Sequence, residues 1–165
     1  MSEQTVTVYP QAHPMSSEEL DSFLARPLIA KLCTHNRDGT IHIVPIWFRY
    51  ENGEILFGTQ EITRKVRNIK RDNRVTVLVD TTEPKLAGVI VSGTAQLDYD
   101  DVIPTRTFIF EKYMEPEGAS GLAARLAGNW KPVVIRVKPE QVISFDYRKG
   151  FGISADPDAE SMTIV

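Results

Sequence analysis

The chain has 165 residues, a formal net charge of −3, and 42% hydrophobic, 25% charged and 8% aromatic residues, a balance that excludes disordered, collagen-like and coiled-coil architectures. At this length one core buries roughly 70% of the unfolded surface, so a single domain is expected to stand without disulfide or metal staples. Cys33 is the only cysteine, which excludes an intrachain disulfide and a thiolate zinc cluster and points to a reducing compartment.

In chain order, residues 1–14 are polar and carry Pro10 and Pro14, and read as an N-terminal extension. The domain proper is expected over 15–149, followed by a small, acidic C-terminal tail at 150–165. Ser16 or Ser17, then acidic residues with Leu20, Phe23 and Leu24 at helical spacing, predict an N-capped helix that stops before Pro27. Leu28 to Thr34 and Ile41 to Tyr50 predict strands around the turn HNRDG, and Asn52-Gly53 predicts a tight hairpin into a strand over Glu54 to Thr59. Thr63 to Arg71 places Val66 and Ile69 on one face of a short helix whose other faces are cationic. Arg74 to Thr81 and Val89 to Tyr99 predict two further strands, and Asp100 to Met114 and Gly118 to Ala127 predict helices, the second ending at Gly128. Val133 to Val137 and Gln141 to Tyr147, parted by Lys138-Pro139-Glu140, predict a closing hairpin.

Six or seven hairpin-linked strands with short helices indicate a mainly antiparallel sheet, and closure into a small barrel is the simplest way to remove its edges. Ile43 to Phe48 is apolar at successive positions, which predicts that both faces of that strand are covered, the outer one by a second copy of the chain.

The most informative stretch is Thr59 to Arg74, TQEITRKVRNIKRDNR, with six basic residues against two acidic ones. One reading is a helix lying on nucleic-acid phosphates, but the run is short, the chain is acidic overall and no aromatic residues interleave it for base stacking. Another is a solvated face with no partner. The preferred reading uses position: Thr63, Arg64 and Lys65 stand at a helix N-terminus directly after a strand. Free N–H groups, the positive end of the helix dipole and two cationic side chains converge there on one phosphate of a small molecule. Pro45 cannot donate to a ladder and marks its strand as an edge or a bulge. Trp47 beside it offers either a wall for a flat ring or a core residue. Gly58 and Thr59, at the end of the next strand, allow close approach and add a hydroxyl.

Other chemistries find little support. His13, His35 and His42 lack metal-ligand spacing, Cys33 has no partner pattern, and G-x-S-x-G, P-loop and dinucleotide-binding motifs are missing. No metal and no nucleic acid are expected. No apolar run approaches the ~20 residues of a membrane span, and MSEQTVTVYPQ has neither the basic nor the apolar stretch of a signal peptide, so a cytoplasmic location is expected.

The order IVPIWF, an Asn-Gly turn, FGT and TRKVRN resembles the pyridoxamine 5′-phosphate oxidase-like superfamily of FMN-binding split barrels, over about Ser16 to Tyr147. The resemblance implies a flavin-dependent oxidoreductase. It implies that Ile43, Val44, Pro45, Ile46 and Trp47 line the flavin ring and ribityl chain, that Gly58 and Thr59 follow, and that Arg64 and Lys65, beside Thr63, bind the flavin phosphate. It further implies a homodimer with two flavin sites at its interface, where Trp130 of the second protomer either covers the flavin or packs in the interface. Relatives that use the deazaflavin F420, with a phosphate and an acidic tail, provide the alternative cofactor, which the surplus cations Arg67, Lys70 and Arg71 would meet. A non-catalytic module that holds flavin or a tetrapyrrole-sized ligand is the alternative from another class. Two departures set the chain apart from the vitamin-processing oxidases: Phe48 stands where they carry a substrate-phosphate Lys, and RKGFGISADPDAESMTIV replaces their terminal Trp and Arg segment. An electron donor such as a nicotinamide nucleotide is expected, and the resemblance assigns neither a catalytic side chain nor a substrate.

Overall fold

The computed structural model describes residues 13–149. Seven strands form one antiparallel sheet: β1 (Ala30–His35), β2 (Ile41–Ile46), β3 (Phe48–Glu51), β4 (Glu54–Gln60), β5 (Arg74–Thr81), β6 (Ala87–Asp98) and β7 (Pro132–Asp146). The helices are α1 (Ser17–Ala25), α2 (Arg64–Arg71), α3 (Val102–Phe110) and α4 (Pro116–Asn129). Spatially the strands run β2-β1-β5-β6-β7-β4-β3. The two ends of that order are β2 and β3, which are separated in the chain by Trp47 alone. The sheet therefore curls until its ends meet at one residue. Its ladder does not close, because β2 pairs only with β1 and β3 only with β4. The closed barrel expected from the sequence is thus an open, curled half-barrel, and the single long strand expected over Ile41 to Tyr50 is two.

Local chemistry accounts for most boundaries. Ser16 accepts from the Glu19 N–H while the Glu19 carboxylate accepts from the Ser16 N–H, a reciprocal cap that starts α1. Asn52 and Gly53 take φ of 51° and 81°, so the β3–β4 turn has the left-handed pair that its Asn-Gly sequence favours. The expected hairpin at Lys138-Pro139-Glu140 is absent: β7 is one strand of 15 residues that pairs with β6 along its length. A register shift at Ser92/Gly93 absorbs the extra residue. A Cβ on Gly93 would lie 2.1 Å from the Lys138 carbonyl oxygen, so glycine there permits the approach. Pro139 is tolerated because the pairing of β7 with β4 ends at Val137, opposite Ile55, leaving β7 one-sided beyond it. Nor does Gly128 end its helix, since α4 runs on to Asn129.

Alternation sorts the side chains into two apolar clusters. The concave side holds Leu32, Phe48, Ile55, Phe57, Val77, Val89 and Ile135, plugged by Phe23 and Leu24 of α1 and by Val66 and Ile69 of α2. Each such buried side chain contributes about 1.5–3 kcal/mol relative to exposure. The convex side of β4 carries Leu56, covered by Ile109 and Phe110 of α3 and by Ala119 and Ala123 of α4, with Trp47 packed against them. On β2 only alternate residues are covered: Val44 and Ile46 pack on the core, whereas Ile41 and Ile43 are 51% and 59% exposed and Pro45 is exposed. At the N-terminal side His13 bridges to Asp146, the carbonyl oxygen of the former accepting from the N–H of the latter. The remainder of the expected extension and tail lies outside the described residues.

Candidate functional site

The end of β4 delivers the chain to α2 in three residues. Thr63 is the N-cap in extended conformation, yet its hydroxyl donates backwards to the Gln60 carbonyl at 2.9 Å rather than capping the helix. The first helical bond runs from the Arg67 N–H to the Thr63 carbonyl. The N–H groups of Arg64, Lys65 and Val66 thus precede the intrahelical ladder and have no side-chain cap, at the positive end of the dipole. Arg64 is exposed and has no hydrogen-bond or ion-pair partner among the described residues. Lys65 is half-buried with no carboxylate beside it, and that burial pushes its pKa down. Two cations and unspent N–H groups at one helix start are the donor set for a phosphate or another anion.

What holds this start in place escaped the sequence reading. The Glu61 carboxylate accepts from Lys70 Nζ at 2.7 Å, the Tyr99 hydroxyl at 3.0 Å and Lys131 Nζ at 3.1 Å. These donors hold its pKa at about 2. The Glu61 N–H also donates to the Lys131 carbonyl at 2.9 Å, and Lys131 lies 4.6 Å over the Tyr99 ring. The loop before α2 is therefore clamped to the end of β6 and the start of β7. A second tie is buried: Asn68 donates to Thr34 Oγ1 at 3.1 Å and to Asn36 Oδ1 at 3.0 Å, joining α2 to β1 and to the β1–β2 turn. Arg71 donates to the Asn68 side-chain oxygen and to the His35 carbonyl. Of the three surplus cations expected to meet an acidic tail, Lys70 and Arg71 are therefore engaged within the fold. Arg67 alone is exposed and without a partner among the described residues.

The remaining expected residues fall into three groups. Ile43, Val44, Pro45 and Ile46 lie on β2, an edge strand whose outer backbone edge is unpaired, so Pro45 sits where a missing N–H costs no ladder bond. His42 on the same strand has its pKa lowered by burial and by the charges of Arg64 and Lys65, which places β2 beside the start of α2. Trp130 caps α4, is 52% exposed, and precedes the Lys131 that holds Glu61. Trp47 and Gly58 have close neighbours from α3 and the segment that follows it. The Trp47 ring stacks on Tyr113 at 4.8 Å and 7°, with Phe110 edge-on at 5.5 Å, so that face of the ring is occupied within the fold. The space that Gly58 leaves is filled by Arg106, whose Cγ lies 2.8 Å from where a Cβ would stand. Thr59, next to it, is 5% exposed. Phe48, at the position where the vitamin-processing oxidases carry a lysine, is fully buried in the core with the Lys112 amine 3.4 Å over its ring.

A curled antiparallel half-barrel, with an uncapped cationic helix start beside the free edge of β2, is the architecture of the split-barrel class. The chain belongs to the pyridoxamine 5′-phosphate oxidase family, whose model matches residues 16–146. No curated protein matches it. Among solved structures it is similar to a conserved hypothetical protein from Mycobacterium tuberculosis, at 23% identity and a TM-score of 0.74, covering 95% of this chain and 96% of that one. It is also similar to an F420 reductase, at 25% identity and a TM-score of 0.57, covering 74% and 94%. A third similarity is to the heme storage protein HutZ from Vibrio cholerae, at 15% identity and a TM-score of 0.63, covering 78% and 94%. Among the described residues no helix is long and apolar enough to cross a membrane.

Proposed function

We propose that the protein binds a phosphate-bearing flavin, FMN in the first place, and serves as a flavin-dependent oxidoreductase. The observation that carries this reading is the start of α2: three N–H groups without a side-chain cap, the unpartnered guanidinium of Arg64, and a half-buried Lys65 amine that has no carboxylate. A flavin phosphate would supply the missing negative charge, as it would in the family to which the chain belongs. The unpaired edge of β2 at Ile43 to Ile46 would meet the polar rim of the ring through backbone groups, while Thr59 and Thr63, beside the Gly58 position that Arg106 packs against, would border the path to the phosphate. The exposed Ile41, Ile43, Pro45 and Trp130 would be covered by a second protomer, which makes the working unit a homodimer. The flavin, when bound, supplies hydride or electron transfer, with a nicotinamide nucleotide as the natural class of donor. The chain's own part is to bind and orient it. We place the protein in the cytoplasm, which its single free thiol suits.

The deazaflavin F420 is the second reading, favoured by the similarity to an F420 reductase at 25% identity. The experiment is the absorption spectrum of the purified protein before and after incubation with FMN or F420, followed by mass identification of released ligand and reduction by a nicotinamide nucleotide. Uptake of FMN and turnover with an acceptor support the first reading. Uptake of F420 alone promotes the second, tight flavin binding without turnover leaves a binding module, and uptake of neither overturns the proposal.

A further inference from the structure

We propose that the amine of Lys112 is a carboxylation site, which takes up carbon dioxide as a carbamate and sets the new anion against the guanidinium of Arg49. Lys112 stands in the turn between α3 and α4, and its half-buried side chain reaches back to α1 and β3. The amine donates to the Leu24 carbonyl, in the last turn of α1, at 2.7 Å and lies 3.4 Å over the Phe48 ring. The next residue, Tyr113, shares its hydroxyl proton between the carbonyls of Leu28 and Phe48, so the turn that carries the amine is fixed to β3. The site does not depend on what binds at the start of α2.

No carboxylate accompanies this amine. Lys112 makes no ion pair among the described residues, and the charged group that acts on it is a second cation, Arg49. Arg49 is half-buried too, stacks 3.8 Å over the Phe108 ring, spends one N–H on the Phe108 carbonyl at 3.3 Å, and has no ion-pair partner among the described residues. Burial, helped by the Arg49 charge, pushes the Lys112 amine down to about 7, so a large share of it is unprotonated and nucleophilic near neutral pH. The Phe48 ring face favours the charged form, but only weakly against that desolvation. An ammonium has three N–H groups to satisfy, where Leu24 offers one carbonyl. A carbamate nitrogen keeps a single N–H, which that carbonyl matches.

Arg49 selects the electrophile. An acyl group would discharge the lysine and leave the guanidinium uncompensated, whereas carbon dioxide turns the cation into an anion. Carbon dioxide is also small enough for an amine enclosed between a ring and a backbone carbonyl. In the step the nitrogen lone pair forms the N–C bond, one C=O π bond of carbon dioxide opens to an oxyanion, and the nitrogen releases one proton to water. Nothing is oxidised or reduced. The new carboxylate then accepts from the remaining N–H groups of Arg49 as a charge-assisted contact.

The test is carbon-13 NMR of the full-length protein in labelled bicarbonate near neutral pH, with ionic strength matched by chloride, followed by alkyl trapping of the carbamate and peptide mass mapping. The expected result is a carbamate resonance distinct from bicarbonate and a trapped carboxyl group on Lys112. Both should vanish in Lys112→Arg, which keeps the charge and loses the nucleophile, and in Lys112→Gln. Melting temperatures confirm that the variants fold, and the trapped position is read on the unmutated chain whether or not they do. Arg49→Met should lower the carbamate occupancy about tenfold at equal dissolved carbon dioxide, as the loss of one charge-assisted contact does. The melting temperature of the wild type should rise with bicarbonate at fixed pH, because the carbamate ties the α3–α4 turn to β3, and that of Lys112→Arg should not. No carbamate, or one confined to the amino terminus or to Lys65, overturns the site. A melt that rises without a trapped carboxyl group marks bicarbonate held as an ion and overturns it as well. A Lys112 carbamate that is undiminished in Arg49→Met overturns the pairing with the guanidinium.

Discussion

The hydroxyl of Tyr113 occupies the place of a missing strand at Phe48. The sheet's two ends meet at Trp47, where Phe48 has no neighbour on the β2 side. The Phe48 N–H donates to the Tyr113 oxygen at 3.1 Å, and the hydroxyl proton is shared between the carbonyls of Leu28 at 2.8 Å and Phe48 at 3.1 Å. Burial pushes the phenol up to about 12, so the proton it donates is retained throughout the working range. The ring meanwhile stacks on Trp47 and fixes the bend itself.

Tyr113→Phe keeps the stacking and removes the hydroxyl, leaving the Phe48 N–H and the Leu28 carbonyl without partners. The expected loss is about 1–3 kcal/mol of stability, read as a lower urea midpoint at unchanged slope. A midpoint equal to wild type would show that the bend holds without this bond.

Gly58 and Arg106 make a second coupled pair. Arg106 is 1% exposed, its Nε and Nη1 have no hydrogen-bond partner, and its Cγ and Nε crowd the position of a Cβ on residue 58. Gly58→Ala is expected to cost about 1–3 kcal/mol through overpacking. Arg106→Met, which removes an unpaired buried charge while keeping bulk, should leave stability unchanged or raise it. Thermal melts of both variants decide the matter, and a marked loss in Arg106→Met would show that the guanidinium has a partner not visible in this fold.

Glu61 gives the site a pH dependence of definite sign. Its folded pKa of about 2 lies below the ordinary 4.5, because Lys70, Lys131 and Tyr99 donate to the ionised form. The clamp's contribution is therefore fully present above pH 4.5 and is lost as pH falls towards 2. The difference in melting temperature between wild type and Glu61→Gln should shrink over that window. A difference that stays constant down to the acid end would mean the carboxylate's charge is not what holds the loop.

The sequence revealed what depends on local chemistry and short period. The N-cap at the serine pair, settled at Ser16, the left-handed pair at Asn52-Gly53, the eight residues of β5 and the amphipathic Val66 and Ile69 of α2 all stand as read. It misread features decided by distant partners. Pro139 looks like a turn in isolation, and only the end of the β4–β7 pairing at Val137 shows why a strand can carry it there. Gly58 reads only as a place of close approach, and α3 shows that Arg106 is among the groups that approach it. The cationic helix start was legible because its residues are consecutive. Its clamp was not, since Glu61, Tyr99 and Lys131 are brought together from three separate elements and no spacing announces them.

Lys65 ties function to stability with opposite signs. Its amine is buried without a counter-carboxylate, so in the ligand-free protein it is a cost, whereas a bound phosphate would convert that cost into a charge-assisted contact. Lys65→Met should therefore raise the melting temperature of the ligand-free protein while weakening FMN by about 1–3 kcal/mol. Arg64→Ala, at an exposed position, should weaken FMN to a similar degree and leave the ligand-free melt unchanged. Riboflavin, which lacks the phosphate, should bind both variants as it binds wild type. Flavin fluorescence titrations beside melts without ligand separate these effects. If both variants hold FMN as tightly as wild type does, the helix start is not the phosphate site, because no other role for these two cations predicts a loss that depends on the phosphate alone.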